Sequence, residues 1–360
     1  TLATQALLLV VAFLALLVIA DRSELGDGAF AAQPSDRPGS SDEDLSIAKG
    51  YQRTEIFPLV LFSLGGMMVF PAANTLIALF VALEVLSLPL YILVATARRR
   101  RQLSQEAALK YFLLGAFASA FVLMGGALLY GFSGSVVLSE ISVKVPMIPG
   151  MDWMLIVGVF MVMVGLLFKV GAAPFHAWTP DVYQGAPTPI TGFMAAAVKV
   201  AAFATMVRIY LTIGVRLEWD LIWILAAVAA LTIAIGTFVG LVQTDIKRLL
   251  AYSSIAHAGF VLIGVLAATS RSAGSVLFYL LGYGIATVGA FGVVALVRQA
   301  DENANITGEA TEISRWAGLG RKSPFVAGAM LIFLLSFAGI PLTSGFIGKF
   351  VVFADGISAG

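Results

Sequence analysis

Cysteine is absent from all 360 residues, and charged residues make up only 12% of the chain. Without cysteine, this chain cannot form disulfides, bind an iron–sulfur cluster through thiolates or use a thiol as a nucleophile. A soluble domain contains about 25% charged residues. The low charge, together with 59% hydrophobic residues, therefore indicates a polytopic membrane protein. The net charge of +1 gives no basic field for nucleic acid, and no nucleic-acid partner is predicted.

Motifs for several other chemistries are also missing. The sequence has no Gly-rich phosphate loop between a strand and a helix and no HExxH zinc motif. Its only histidines are His176 and His257, and the first stands close to Pro174, so haem ligation is poorly supported. We therefore predict that this chain holds no metal and no cofactor of its own.

Long apolar runs predict about ten or eleven transmembrane helices, because a helix needs about 20 apolar residues to cross the hydrocarbon core. A further apolar segment begins after Pro341, and the chain starts inside an apolar run at Thr1, so we expect a fragment of a longer protein. The predicted spans are residues 2–20, 56–71, 74–96, 105–131, 152–172, 187–212, 220–243, 246–268, 274–297 and 324–340.

Two polar connections separate the spans. The segment Asp21–Arg53 is rich in Gly, Ser, Pro and Asp, a composition that cannot bury apolar surface, and it predicts a polar, mobile loop over residues 21–54. A second polar connection runs from Arg298 to Pro324. If these two loops and residues 244–248 lie on the same side as Arg98–Arg101, that side holds 14 of the 22 Lys and Arg residues and the other side holds 4. The positive-inside rule then places the basic side in the cytoplasm.

A small set of ionisable residues lies inside the apolar runs, where each charge costs about 2.5–3.5 kcal/mol at the membrane centre. Glu84, Lys199 and His257 lie ten, twelve and eleven residues into their spans, which is the middle of a membrane-crossing helix. Lys110 lies near a helix end and could simply extend to the surface. The complete set is Glu84, Lys110, Lys169, Lys199, His257 and Lys349, with His176 in an interrupted stretch.

Titratable groups at one depth on several helices favour a hydrated proton or ion path over isolated structural charges. Glu84 is the predicted counter-charge of Lys169. Lys199 has no second carboxylate at its depth, which suits a reversible proton carrier. His257 can pass protons between its ring nitrogens, and hydrogen-bonded packing is the alternative for it. His176 either joins the path or only satisfies backbone groups.

Two apolar segments contain helix-breaking residues. "KVGAAPFHAWTP" contains Pro174 and "SFAGIPLTSGFIGKF" contains Pro341, and each has a lysine within a few residues. Proline removes a backbone donor and frees a carbonyl, which in lipid must be satisfied by neighbours or by water. Interrupted helices in two halves of a transporter mark the transport path, and their separation by five spans indicates inverted repeats.

Together, "ALFVALEVLSLPLYIL", "SQEAALKYFLLGAFASAFVLMGGALLYG", "GLLFKVGAAPFHAWTPDVYQGAPTPITGFMAAAVKVAAF", "QTDIKRLLAYSSIAHAGF" and "SFAGIPLTSGFIGKF" resemble the antiporter-like membrane subunits of respiratory complex I. The lysine in "GFIGKF" favours the subunit N family (subunit 2 of mitochondria) over its paralogue M. The resemblance runs from about Glu55 onward. It implies an all-α, antiporter-like fold of fourteen helices with two inverted five-helix repeats and broken helices, of which this chain would cover helices three to twelve.

The resemblance also implies domain boundaries and site residues. The first repeat would occupy residues 55–212, with its helix break near 165–186. The second repeat, which is truncated, would occupy residues 213–360, with its helix break near 336–350. The residues that match the family's proton path are Glu84 in the fifth helix, Lys110 in the sixth, Lys169 before the first break, Lys199 as the central lysine, His257 in the tenth helix and Lys349 after the second break.

The function implied by the resemblance is proton translocation in bacterial NADH:quinone oxidoreductase, driven by quinone reduction elsewhere in the complex. NADH, FMN, iron–sulfur clusters and quinone are then expected in partner subunits. The expected partners are a neighbouring antiporter-like subunit, small membrane subunits and lipids, and the expected location is the bacterial plasma membrane. Two alternatives stay open: a subunit of a sodium/proton antiporter with the same fold, and a structural membrane scaffold.

Overall fold

The computed structural model describes residues 1–20, 29–31, 33, 36–37, 39–51, 55–145, 152–267, 269–300 and 306–359. Parts of the predicted polar loop, including residues 21–28 and 52–54, lie outside the described residues. The helices are α1 Leu2–Ile19, α2 Ser41–Ala48, α3 Ile56–Val69, α4 Leu76–Val94, α5 Arg101–Ser133, α6 Leu138–Lys144, α7 Asp152–Val170, α8 Trp178–Gly185, α9 Thr188–Phe193, α10 Lys199–Thr212, α11 Glu218–Leu241, α12 Ile246–Leu266, α13 Ser270–Leu296, α14 Leu319–Lys322, α15 Pro324–Ala338 and α16 Ser344–Ser358.

Every predicted span is occupied by helix, and the prediction of an all-α polytopic membrane protein is confirmed. Eight helices among the described residues are long and apolar enough to cross a membrane, and Ile56–Ala72 and Pro324–Ala338 are shorter apolar helices. Large apolar side chains such as Phe117 and Phe238 stand 67% and 71% exposed on the outer surface. Their exposure is expected of side chains that contact lipid.

The helix Thr188–Thr212 lies at the centre of the bundle, and nearly all of its residues are buried. It consists of α9, a π-helical segment at Met194–Val198 and α10. A π-helical segment is rare and frequently occurs at functional sites. Here it directly precedes Lys199, the first residue of α10.

The basic loops meet at one end of the bundle. The Arg98 N–H donates to Ala29 O, the Arg100 guanidinium donates to Thr311 Oγ1 at 3.0 Å, and the Ile246 N–H donates to Thr311 O. These contacts join the four loop regions that the count of Lys and Arg placed on one side. We call this end the basic end, and the other, where Thr75 pairs with Val137, the opposite end.

Several short elements were not predicted from the sequence. They are helix α6, the two-stranded antiparallel sheet of β1 Arg298–Ala300 and β2 Ile306–Glu309, and helix α2. None of them has a long apolar periodicity, which was the signal used to locate the spans. The sheet begins directly after α13 and holds the second polar connection against the basic end.

Helix α2 forms where the sequence predicted a mobile loop. Ser40 caps its first turn by accepting a hydrogen bond from the Glu43 N–H, and three acidic residues in that turn favour the positive helix N-terminus. Glu43 is only 1% exposed, and its carboxylate contacts Arg98 at 3.2 Å and Arg101 at 3.7 Å. The ion pair therefore anchors part of this loop on basic residues at the start of α5.

Two opposing effects act on the Glu43 carboxyl. Burial alone would raise its pKa. The hydrogen bonds from Arg98 and from the Gly39 N–H, together with the positive charges of Arg98 and Arg101, outweigh burial and lower the pKa of Glu43 below its ordinary value. The charged form is therefore the one that holds α2 in place.

We predict that Glu43→Gln loosens α2, because it removes the charge that Arg98 and Arg101 contact at a cost of about 1–3 kcal/mol. Hydrogen exchange of Ser41–Ala48 should then become at least about fivefold faster, the factor that corresponds to about 1 kcal/mol. Asp44→Asn is the matched control, since Asp44 lies exposed in the same turn of the helix. Equal exchange in the Glu43 variant and the unaltered protein would contradict the anchoring role.

The same contact should depend on pH in one direction. The pKa of Glu43 is lower in the folded protein than in an unfolded chain, so its contribution is complete above the unfolded value of about 4.3. It is lost as pH falls through the lower folded value. The protection factor of α2, which is the exchange rate corrected for the intrinsic pH dependence of amide exchange, should therefore be constant from pH 8 to 5 and fall below about pH 4. A marked change in the protection factor between pH 7 and 5 would assign the effect to another group.

Candidate functional site

The first break follows Lys169 at the end of α7. Gly171 adopts φ +74°, in the left-handed region that favours glycine. Its N–H donates to Phe168 O at 3.0 Å, and the Ala172 N–H donates to Leu167 O at 2.9 Å. This pair of bonds is the Schellman motif that ends many helices.

The polar groups freed by this break find partners on neighbouring elements. The Ala173 N–H donates to Thr232 Oγ1 of α11 at 2.9 Å, and the indole Nε1 of Trp178 donates to Phe168 O at 2.9 Å. The half-buried His176 ring lies beside the Pro174 backbone, and its Nδ1 has no hydrogen-bond partner among the described residues. Thr232 and Trp178 thus satisfy backbone groups at the break, and both roles predicted for His176 stay predictions.

The second break is built in the same way. Gly339 adopts φ +78°, its N–H donates to Ser336 O at 3.0 Å, and the Ile340 N–H donates to Leu335 O at 3.1 Å. Pro341 follows Gly339 closely, as Pro174 follows Gly171. The pair α15–α16 runs from the basic end toward the opposite end, and α7–α8 runs the other way, as the predicted inverted repeats require.

Lys169 is 2% exposed and donates from Nζ to Ser87 Oγ of α4 at 2.7 Å. The ring centroids of Tyr91 and Tyr111 lie 5.5 and 5.6 Å from the same nitrogen, within the range of cation–π interaction. A hydroxyl oxygen and aromatic faces therefore surround this ammonium group.

The direct ion pair between Glu84 and Lys169 does not form. Both residues are described, and no salt bridge joins them. Ser87, three residues after Glu84 and hence on the same side of α4, takes the hydrogen bond of the lysine instead. Glu84 acts on Lys169 only as a nearby charge, and its buried Oε1 has no hydrogen-bond partner among the described residues.

Lys199 is 3% exposed, and its Nζ donates to the backbone carbonyl of Ser254 on α12. The Ser254 side chain accepts a hydrogen bond from the Tyr283 hydroxyl at 2.9 Å and lies 3.3 Å from the Tyr183 hydroxyl. Within the described chain, no carboxylate forms a salt bridge with Lys199, as the sequence predicted. Hydroxyl groups from three helices instead converge next to it.

His257 lies one turn after Ser254 on α12 and is 5% exposed. Its Nδ1 shares a hydrogen bond with the Tyr279 hydroxyl, and its ring lies 5.5 Å from the ring of Phe337. Lys349 Nζ donates to Phe337 O at 2.8 Å and Ala338 O at 3.2 Å. The end of α15 thus brings His257 and Lys349 together.

Aromatic residues of the half-helix α8 lie between the cluster around Lys169 and the cluster around Lys199. The Trp178 ring stacks on Tyr111 with centroids 4.7 Å apart, and it contacts Tyr183 edge to face at 6.3 Å. Tyr183 then reaches the serine beside Lys199. The sequence did not identify these tyrosines, because aromatic residues are common in membrane helices without a functional role.

Lys110 stands apart from this row, in an ion cluster near the basic end. Its Nζ lies 2.7 Å from Glu106 Oε1 and 2.8 Å from Asp181 Oδ2, and Arg248 Nη1 lies 2.8 Å from Asp181 Oδ1. Asp181 thereby ties α8 to α5 and α12. Cations and carboxylates alternate here, and among the described residues no three His, Asp or Glu side chains converge as a metal site requires.

A cavity of about 100 Å³ lies at the basic end, with Arg100, Lys247, Gln184 and Glu309 among its lining residues. Lys247 is 3% exposed, and its Nζ donates to Ala186 O at 2.7 Å. From the sequence, Lys247 was predicted to lie in the loop of residues 244–248 on the basic side. A lysine next to the first turn of an apolar helix can be buried when another helix covers it, and only the packing of α8 and α9 decided this.

We predict that Gly115→Ala destabilises the protein, because the added Cβ would lie 2.0 Å from the Tyr91 hydroxyl beside Lys169. Overpacking of this kind costs about 1–3 kcal/mol, so the melting temperature in detergent should fall. Gly126→Ala is the control on the same helix, since its Cβ would lie 3.8 Å from Leu76 Cβ. It should be neutral or stabilising, and an equal effect of both substitutions would contradict the prediction.

The sequence profile of the family described as "NADH:quinone oxidoreductase/Mrp antiporter, TM" matches residues 73–360. The chain is 58% identical over 363 residues to "NADH-quinone oxidoreductase subunit N" of Beutenbergia cavernae, covering 100% of this chain and 68% of the relative. It is 55% identical over 378 residues to "NADH-quinone oxidoreductase subunit N 3" of Streptomyces griseus, covering 100% of this chain and 67% of the relative.

Solved structures show the same fold. A chain of "Respiratory complex I from Thermus thermophilus with bound Aureothin" superposes with a TM-score of 0.77 at 36% identity, over 99% of this chain and 69% of that chain. A chain of the Mrp complex from Dietzia sp. DQ12-45-1b superposes with a TM-score of 0.80 at 24% identity, over 99% of this chain and 61% of that chain, which shows similarity of fold alone.

The expectation of an antiporter-like fold is therefore confirmed by structure, and the resemblance to subunit N is confirmed by sequence identity. The family profile covers both breaks and the whole lysine row. The chain belongs to the subunit N family of NADH-quinone oxidoreductase, the membrane-embedded antiporter-like subunits of respiratory complex I.

Proposed function

We propose that this chain translocates protons across the bacterial plasma membrane as a subunit of NADH-quinone oxidoreductase. Its relatives carry the name of that enzyme, and a chain of a solved respiratory complex I shares its fold. NADH, FMN, iron–sulfur clusters and quinone are expected in other subunits, where quinone reduction supplies the energy. Neighbouring antiporter-like and small membrane subunits are the expected partners.

One observation carries the proposal: three buried or partly buried ammonium groups hydrogen-bond only to neutral oxygens. Lys169 donates to the Ser87 hydroxyl, Lys199 to the Ser254 carbonyl, and Lys349 to carbonyls at the second break. Within the described residues, none of the three forms a salt bridge. A cation without a bound counter-charge in a low-dielectric interior can give up its proton without leaving a buried anion behind.

The hydroxyl and imidazole groups suggest the order of the path. A proton from Lys169 would pass the tyrosines around α8 to the serine next to Lys199 and then reach His257 and Lys349. The direct contacts support the last part most strongly. The Tyr283 hydroxyl donates to Ser254 beside Lys199, and the Tyr283 ring lies 5.0 Å from the His257 ring. The His257 ring also lies 5.5 Å from the Phe337 ring, and the Phe337 carbonyl accepts from Lys349. The longer step between Lys169 and Lys199 would need water, whose hydrogen bonds serve as well as direct ones.

The cavity at the basic end is the best-supported point of proton entry. By the positive-inside rule this end faces the cytoplasm. Lys247 forms part of the cavity wall, and it lies seven residues, or two helical turns, before Ser254 on the same side of α12. Lys247 can therefore take a proton from the cavity toward the hydroxyl cluster beside Lys199.

The deciding experiment replaces Lys199 with Ala and with Arg in the full-length subunit within the assembled complex. Alanine cannot carry a proton, and arginine stays charged at every accessible pH. Both variants should therefore abolish NADH-driven proton pumping in membrane vesicles while the complex remains assembled. Arginine is the sharper test, because it keeps the positive charge and removes only the exchange of a proton.

Lys322→Ala is the control, because Lys322 is exposed at the basic end and should leave pumping unchanged. Normal pumping in both Lys199 variants would overturn the proposed route. Pumping that requires sodium ions, together with purification without the NADH-oxidising subunits, would favour the sodium/proton antiporter instead. Unchanged proton yield after neutralising both Glu84 and Lys169 would favour a structural scaffold.

A further inference from the structure

Asp355 is a buried carboxylate that the route from Lys169 to Lys349 does not use. It is 5% exposed and lies on α16, six residues beyond Lys349, or about 9 Å at the helical rise. A carboxylate is costly to bury unless it is paired. Asp355 accepts a hydrogen bond from Ser275 Oγ, and its Oδ1 lies 3.2 Å from Nε of Arg271.

The two partners of Asp355 connect different environments. Ser275 is buried on α13, whereas the Arg271 side chain is 81% exposed at the opposite end. Helix α16 starts at the second break, in the middle of the bundle, and runs toward this end. Asp355 therefore lies between the last lysine of the row and the surface away from the basic loops.

Three hydroxyl side chains follow one face of α13 at intervals of four residues, the spacing that aligns side chains along a helix. With their partners, they are Tyr283 with Ser254, Tyr279 with His257, and Ser275 with Asp355. Successive positions are one helical turn apart, about 5.4 Å, which two hydrogen bonds through one water molecule can span. The same helix face thus contacts the central cluster, the histidine and the buried carboxylate.

We propose that Asp355 is the group that releases the proton at the opposite end, an inference that rests on the proposed function. Its carboxylate would accept one proton that arrives through Lys349 or His257 and the hydroxyl of Ser275, and it would become a neutral carboxylic acid. Water at the surface then takes that proton, and the ion pair with Arg271 forms again. One proton moves at each step, and no electron is transferred.

The position of Arg271 fits this role. Its exposed guanidinium lies on the surface side of Asp355, where a positive charge repels protons that approach from outside. The charged groups along this stretch are Arg271, Asp355 and Lys349, with His257 as the adjacent titratable ring. Among the described residues, Asp355 is the one carboxylate that hydrogen-bonds to this face of α13.

The alternative is that the ion pair only ties α13 to α16. The two roles make different demands on Arg271. A structural tie needs both partners, so loss of either one should have the same effect. A proton-release group needs its carboxylate, whereas Arg271 could be removed with little loss of forward transport.

The test compares Asp355→Asn, Asp355→Glu and Arg271→Gln in the assembled complex, with proton yield per NADH oxidised measured in vesicles. Asp355→Asn should lower the yield at least twofold, because the amide cannot take up the proton. Asp355→Glu keeps the carboxyl group and should restore most of the yield. Arg271→Gln should keep at least four-fifths of it. If Asp355→Asn does not assemble, Ser275→Ala replaces it and should lower the yield in part.

Equal losses in Asp355→Asn and Arg271→Gln would assign a structural tie and overturn the inference. Normal yield in Asp355→Asn, or in Ser275→Ala if that variant must replace it, would also overturn it. Lys199→Ala, measured in parallel, distinguishes a failure of the role inferred for Asp355 from a failure of the proposed function. Loss of pumping in Lys199→Ala with normal pumping in Asp355→Asn removes only the role of Asp355, and normal pumping in both removes the proton route as well.

Discussion

An ammonium group inside a membrane protein needs hydrogen-bond acceptors, because removing it from water costs several kcal/mol. This chain supplies them mainly as neutral oxygens. Lys169 contacts a serine hydroxyl, Lys199 a backbone carbonyl, and Lys349 two carbonyls at the end of a helix. A carboxylate partner would hold the proton on each lysine more firmly. The neutral acceptors therefore stabilise the buried ammonium groups and still allow the lysines to exchange protons.

The helix breaks follow from the same requirement. A continuous helix uses all of its central carbonyls internally, and it can offer few to a lysine on another helix. Each break begins with a glycine in the left-handed conformation and two backbone bonds of the same pattern, at Gly171 and Gly339. At the second break, the carbonyl of Phe337 accepts from Lys349, and the ring of the same residue lies 5.5 Å from the His257 ring. The first break frees α8 to place its aromatic residues between the two central lysines.

Charged groups near the basic end of the bundle have different partners from the lysines in its middle. Near the basic end, Asp181 bridges Lys110 and Arg248, and Glu43 contacts Arg98 and Arg101. These groups are paired with opposite charges and tie helices and loops to one another. Ion pairs therefore stabilise the basic end, while the lysines in the middle rely on hydroxyls and carbonyls. The ion-paired groups of the basic end are therefore distinct from the lysines that carry protons in the proposed route.

The sequence alone determined the helical spans, the two breaks and the titratable residues, because apolar runs, prolines and buried charges are local features of the chain. It also predicted that Lys199 has no carboxylate partner. It did not determine which groups touch. The predicted Glu84–Lys169 bridge gave way to Ser87, and Lys247, Asp181 and Asp355 emerged as buried or bridging groups only through the packing of α8, α9 and α13. Helix α2, in a loop predicted to be mobile, depends on an ion pair across 55 residues of sequence. Such contacts are decided by the tertiary structure, because the partner of a buried polar group is set by which helices meet and not by its neighbours in the chain.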